Sequence, residues 1–202
     1  MYIPIHFREN DPQELARVIQ QNNFGCLISM IDDRPFATHL PFVYEPQSGR
    51  LLGHMARANP HWEALDTSSR EVLTVFQGAH AYISPTWYAN PGVPTWNYVA
   101  VHLYGHFHVL HDPSAHRQAM VTLTNQHEAA QEKPWAADFE SPMAANMLNQ
   151  TVAFEIIVSE TQGKFKLNQN RASEDRSNVI DALEAQATDN SIGIARLMQA
   201  KQ

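Results

Sequence analysis

Thr95-Trp96-Asn97-Tyr98-Val99-Ala100-Val101-His102-Leu103-Tyr104-Gly105-His106-Phe107-His108-Val109-Leu110 is the stretch that decides how this chain folds. Val99, Val101, Leu103, Gly105, Phe107 and Val109 alternate with Tyr98, His102, Tyr104, His106 and His108. That two-residue period belongs to a long strand with one face in a core. Shorter runs on either side share the pattern. Residues 25–31 and 35–44 read as two strands joined by a turn at Asp32-Asp33, the second with Phe36, Thr38, Leu40 and Phe42 on one side. Residues 50–55 form a third strand after the turn Pro46-Gln47-Ser48-Gly49. Val72-Leu73-Thr74-Val75-Phe76 is a continuous apolar run, expected of a strand buried on both faces, and Gly78 is expected to break it before 79–84 resumes an extended path. Residues 150–160, with Val152, Phe154, Ile156 and Val158 alternating, give the last strand, and Gly163 is expected to turn the chain.

Helices punctuate these strands. Asp11-Pro12 reads as a cap and first helical position, with Leu15, Val18 and Ile19 on one face. Asp112-Pro113 opens a helix over 114–126, and 143–149 is a short helical turn. Ser173 is expected to cap a helix through 183, and Asn190 or Ser191 a last one carrying Ile192, Ile194, Leu197 and Met198. Strands linked by short turns, without regular βαβ alternation, predict a mainly β fold with α (α+β), an antiparallel barrel with C-terminal helices. The expected organisation is one domain over 1–170 and a helical extension, 171–202, packed on or beside it.

With 202 residues, 44% hydrophobic and 17% charged, the chain is long enough to close a core. A net charge of −7 argues against a broad phosphate-backbone surface such as nucleic-acid binding needs. The single cysteine, Cys26, excludes an internal disulfide, fits a reducing cytoplasm, and reads as a buried thiol in an apolar run. The N-terminus lacks the basic and apolar stretches of a signal peptide, and no apolar run reaches the roughly 18 residues that would span a membrane. No Gly-rich dinucleotide fingerprint, P-loop or nucleophile elbow is present.

Candidate binding groups lie in three places. Gly53-His54-Met55-Ala56-Arg57-Ala58-Asn59-Pro60 carries a strand into a helix, with Asn59 set to cap the new amides and Arg57 at the joint, an arrangement suited to an anion. Trp87, Tyr88, Trp96 and Tyr98 fall within a dozen residues of a proline-rich loop, and could form a platform for a planar heterocycle, a hydrophobic plug or a dimer contact. Lys164 to Arg171 brings three positive charges that could clamp a phosphate or end as a solvated turn. His102, His106 and His108 share a strand face, yet positions 102 and 106 stand about 13 Å apart along it, so a solvent or interface stripe is favoured over a haem or metal site.

Taken in order, Met1-Tyr2-Ile3-Pro4, His39-Leu40-Pro41, Gly53 to Pro60, Ile83-Ser84-Pro85-Thr86-Trp87-Tyr88, Val93-Pro94-Thr95-Trp96-Asn97-Tyr98 and Lys166-Leu167-Asn168-Gln169-Asn170-Arg171 resemble the PaiB family, described as FMN-binding negative transcriptional regulators. The resemblance implies an FMN-binding split barrel acting as a homodimer, related to pyridoxamine-phosphate oxidases and flavin reductases, with flavin in a groove between subunits. It implies cofactor contacts from Thr38, His39, Leu40 and Pro41 along the ring and from His54, Met55, Ala56, Arg57, Ala58 and Asn59 at the phosphate. Gln77, Trp96, Lys166 and Arg171 would complete the site, the other subunit contributing residues such as Gln77, Trp96 or Arg171. Paired basic residues are usual at the oxidase-type phosphate site, whereas the segment around Arg57 offers one. Two functions follow: a repressor, with direct DNA contact weakly supported because the C-terminal helices are acidic, or an FMN-dependent oxidoreductase.

Overall fold

The computed structural model describes residues 1–201 apart from 137 and 140. Seven strands run in chain order: β1 Arg8–Glu9, β2 Phe24–Ile31, β3 Arg34–Glu45, β4 Arg50–Ala56, β5 Val72–Ile83, β6 Thr95–Val109 and β7 Thr151–Lys166. Among the described residues six α-helices accompany them: α1 Pro12–Gln21, α2 His61–Asp66, α3 Pro113–Glu128, α4 Pro142–Asn149, α5 Ser173–Gln186 and α6 Asp189–Ala200. The strands pair in the order β1-β7-β4-β3-β2-β5-β6, with a further pairing of β7 with β6. The mainly β, antiparallel split-barrel class expected from the sequence is the class observed. No helix among the described residues is long and apolar enough to cross a membrane.

The chain divides into two compact units. One contains Ile19–Phe76 and His102–Thr161; the other contains Met1–Val18, Gln77–Val101 and the chain from Gln162 onward.

In the unit built on Ile19–Phe76, β2 and β3 pair antiparallel through eight positions, from Phe24 opposite Pro41 to Ile31 opposite Arg34. Asp32 (φ 50°) and Asp33 (φ 57°) make the two-residue turn between them. Two successive positive φ values match the twist of a tight hairpin, and aspartate tolerates that region better than most residues. The inward face stacks aromatic rings: Phe42 meets Phe76 at 5.6 Å and Phe154 at 6.2 Å, and Phe107 meets Phe154 at 4.6 Å. A Cβ on Gly53 would stand 2.6 Å from the Phe154 ring, so only glycine lets β4 pass this cluster. On the outward face, α3 packs Ala119 and Leu123 against Val43, Leu52 and Ala153.

The rest of that outward face is only partly covered among the described residues. Cys26 pairs with His39 and Val75, and Ile28 with Ala37 and Leu73, so these side chains point the same way. Cys26, Ile28, Leu73 and Val75 are half-buried, and Phe24 and Met30 are 65% and 45% exposed. The run 72–76 is therefore buried on one face only: Val72, Thr74 and Phe76 are inside, Leu73 and Val75 outside. Cys26 is correspondingly half-buried, with burial raising its thiol pKa.

In the other unit, β1 pairs with β7 at Arg8–Lys164 and Glu9–Gly163. Gly163 does not turn the chain; a Cβ there would lie 2.2 Å from Leu15 Cδ2, so the glycine serves close approach of α1 to the strand. Gly78 likewise stays inside β5, because a glycine in an extended backbone loses only about 0.5–1 kcal/mol, less than a broken ladder would. Ser173 is the first residue of α5 and does not cap it, whereas Thr188 and Ser191 form a reciprocal capping box on α6. Val179, Leu183, Ile194 and Met198 are fully buried, so α5 and α6 are part of this unit's core.

Candidate functional site

The strand–helix joint at 54–61 is built from β4 and the start of α2. Asn59 Oδ1 accepts the His61 amide at 3.0 Å, the capping role its position before Pro60 implied. Asn59 Nδ2 donates to Thr38 Oγ1 at 3.4 Å. Thr38 Oγ1 lies 2.8 Å from His61 Nδ1, and Ser29 Oγ 2.8 Å from His61 Nε2. Fully buried and set edge-on to Phe36 at 4.8 Å, the His61 ring has its pKa pushed down by burial to about 4. It is a neutral imidazole that donates through one nitrogen, accepts through the other, and ties β2, β3 and the joint together. The motif reading did not single out His61. Only its place immediately after Asn59-Pro60 hinted at a role.

Arg57 is exposed, and its guanidinium is partly committed: Nε donates to Asn149 O at 2.7 Å and Nη2 to Thr151 O at 2.9 Å. Its ring neighbour is Trp62, 5.8 Å away, whose Nε1 donates to Arg57 O at 2.8 Å. Nη1 remains free of any such bond among the described residues. Ala56 and Ala58, its neighbours in sequence, are exposed, as is His39 on β3, whereas Leu40 and Met55 are buried at 7% and 2% exposure. Leu40 and Met55 can therefore offer a ligand only backbone atoms. Pro41 and His54 are half-buried.

The other unit gathers Gln77, Trp96 and Lys166. Gln77 Nε2 lies 3.4 Å from His80 Nδ1; the Trp96 ring meets His80 at 6.3 Å and Tyr82 at 6.0 Å. Trp96 is 53% exposed and Tyr82 46% exposed. The Lys166 ammonium bonds Thr95 Oγ1 and, at 2.6 Å, Trp96 O. Its pKa is lowered, first by burial and then by Lys164. Lys164 is buried, donates to Tyr2 O at 3.0 Å and lies 5.1 Å from the Tyr98 ring. Arg171 stands apart: it stacks on Tyr88 at 4.4 Å, donates to Pro91 O at 3.1 Å and faces Asp175 at 3.9 Å. The aromatic residues near the proline-rich loop thus divide among three cations and rings, and do not form one platform.

Each unit, taken by itself, carries positive charge that an anion could meet. Arg57, Lys164 and Lys166 have no carboxylate partner among the described residues, and unpaired positive charge near buried surface is stabilised by an anion. Exposed Trp96 and Tyr82 rings beside Lys166 offer faces for stacking. No group of three or more His, Cys, Asp or Glu side chains among the described residues could hold a metal ion. His102 is half-buried, and His106 and His108 are exposed, so this trio presents an outward stripe.

Comparison with known proteins gives a concordant picture. Residues 1–160 match the family described as "Putative FMN-binding domain". The chain is 36% identical over 204 residues to Protease synthase and sporulation protein PAI 2 of Bacillus subtilis, covering 100% of this chain and 98% of that protein. Among solved structures, the flavocytochrome Anf3 of Azotobacter vinelandii superposes with a TM-score of 0.65 at 14% identity, over 85% of this chain and 75% of that one. The FAD- and heme-binding protein of Mycobacterium smegmatis gives 0.65 at 16% identity, over 84% and 78%. At these identities the structural likeness speaks for the fold.

Proposed function

The chain belongs to the PaiB family of FMN-binding proteins, and from that premise we propose that it works as a homodimer holding FMN where the subunits meet, in the service of negative transcriptional regulation. FMN is the cofactor of this chain by family membership; when bound, it supplies one- and two-electron redox chemistry that the protein positions. Thr38, His39 and the backbone of Leu40 and Pro41 would line the ring. Arg57 Nη1 would meet the phosphate, with Gln77, Trp96 and Lys166 supplied by the partner protomer.

One observation carries the dimer. The outward strand face of Phe24, Cys26, Ile28, Met30, Leu73 and Val75 is apolar and only partly covered, and such a patch on a folded chain is an association surface. A second copy is the occupant that fits. Ile28 sits at the centre of this face, between Ala37 and Leu73. Ile28→Glu is expected to convert a dimer to a monomer in sedimentation velocity, with unchanged far-UV circular dichroism and weakened FMN binding. A parent chain that sediments as a monomer at micromolar concentration ends the dimer reading.

Phosphate recognition has its own check. Arg57→Ala and Lys166→Ala are each expected to raise the FMN Kd by about 10- to 100-fold, the range for losing one charge-assisted hydrogen bond. The quenching of flavin fluorescence on titration measures it, and unchanged affinity removes that residue from the site.

The regulatory part of the reading draws on the relative whose name links it to protease synthesis and sporulation. With a net charge of −7, direct operator contact would require a local basic patch. A mobility-shift assay whose signal persists at moderate salt supports it. The alternative, an FMN-dependent oxidoreductase, is favoured by the exposed Trp96–Tyr82 shelf, where a second planar molecule could stack. Turnover of a nicotinamide donor by the flavin-loaded chain would decide for it.

A further inference from the structure

One of the cavities outside the proposed flavin contacts has a buried polar atom in its wall. It has a volume of about 230 Å³ and is lined by His54 and Thr151 from the outward sheet face, Met120 from α3, Met147 and Leu148 from α4, and Trp135 between those helices. Its walls are mainly apolar, and none of the described lining residues carries a full charge. His54 Nδ1 is buried with no hydrogen-bond partner among the described residues. Burial, and then the neighbouring His116 and His127, hold the His54 pKa below its ordinary value. The ring is therefore a neutral imidazole with one donor and one acceptor nitrogen, in a place where buried polar groups are normally paired.

Size and chemistry narrow the occupant. An apolar cavity of about 150 Å³ accepts benzene. This one is half as large again, so it has room for roughly nine non-hydrogen atoms. A charged ligand would meet no counter-charge in the lining, and the part of it withdrawn from solvent would incur a desolvation penalty. Trp135 and Met147, 59% and 61% exposed, leave the mouth open to solvent. Trp135, Met120 and Met147 offer the ring and thioether contacts that aromatic molecules favour.

We propose that this cavity is a binding site for a neutral one- or two-ring aromatic molecule, held by apolar contact with Met120, Met147 and Trp135 and by a single hydrogen bond to His54. Apart from His54, which the resemblance sets near the phosphate, no lining residue is among the flavin contacts named above, so the site can be probed with FMN absent. Its wall nevertheless adjoins the flavin joint: the carbonyl of Thr151 holds Arg57 and its hydroxyl lies 3.1 Å from His116 Nε2.

Indole, at nine non-hydrogen atoms, is the probe. The full chain, carrying ¹³C-methyl methionine, is titrated in the absence of FMN. Saturable shifts are expected at the Met120 and Met147 methyls, with none at Met198, which is buried in α6 outside the cavity. Indole-3-acetate, the same ring system with a carboxylate, should bind at least tenfold more weakly. Ala144 also lines the cavity, and Ala144→Trp should fill it and abolish both shifts. No saturable response from Met120 and Met147 up to the solubility of indole overturns the proposal on the unsubstituted chain alone. Equal binding of the carboxylate, or shifts that persist in a folded Ala144→Trp chain, overturns it as well.

Discussion

Phe154→Ala is expected to lower the unfolding free energy by about 3–5 kcal/mol, the range for removing a fully buried aromatic side chain. Phe154 has no exposed surface and touches two other rings, edge-on to Phe42 and tilted on Phe107. Its ring also fills the space that the missing Cβ of Gly53 leaves open. Truncation therefore removes apolar burial and opens a void that β4 and β7, pinned by seven paired residues from Arg50–Ile157 to Ala56–Thr151, cannot close. Urea unfolding followed by circular dichroism measures the loss as a shift in midpoint at constant slope. A drop below about 1 kcal/mol would mean that the inward face is not the packed core described here.

The second large effect is a loss of stability in acid traceable to His61. In the folded chain this ring titrates near pH 4, whereas an unfolded histidine titrates near 6.5. The unfolded state thus binds the proton more readily, so stability is fully present above about pH 6.5 and declines as pH falls toward the folded value. Over that window the contribution is on the order of 3 kcal/mol, since one pKa unit corresponds to about 1.4 kcal/mol. Burial also lowers the pKa of His54, His102 and His116, which adds to the decline in the same direction. His61→Gln isolates the contribution, because glutamine keeps a donor and an acceptor but does not titrate. The difference in unfolding free energy between pH 7 and pH 4 should be markedly smaller in the variant. An equal difference would show that burial does not hold the His61 ring neutral.

Much of the sheet was legible because local patterns agree with the global fold. Asp32-Asp33 between two apolar runs announced the β2–β3 hairpin, and the alternation from Val99 to Phe107 marked the inward face of β6. The apolar run 72–76 misled in an informative way. Its pattern is the same whether the second face meets a helix or another molecule, and the single chain leaves Leu73 and Val75 only half covered. The joint was legible through Asn59-Pro60, since capping is a local interaction. His61 and the anchoring of Arg57 were not, because their partners Ser29, Thr38, Asn149 and Thr151 are distant in sequence. Gly163 looked like a turn because what excludes a side chain there is Leu15, nearly 150 residues earlier.

The tight Asp32-Asp33 turn has a kinetic consequence. Its eight cross-strand pairs need almost no loop closure, so this ribbon can zip on the microsecond scale of isolated hairpins, ahead of ladders such as β4–β7 that join residues a hundred positions apart. From that moment Phe24 and Met30 meet water, and they remain 65% and 45% exposed once the chain has folded. Refolding at high protein concentration should therefore lose chains to clumping through this ribbon, and dilute refolding should give the cleaner yield.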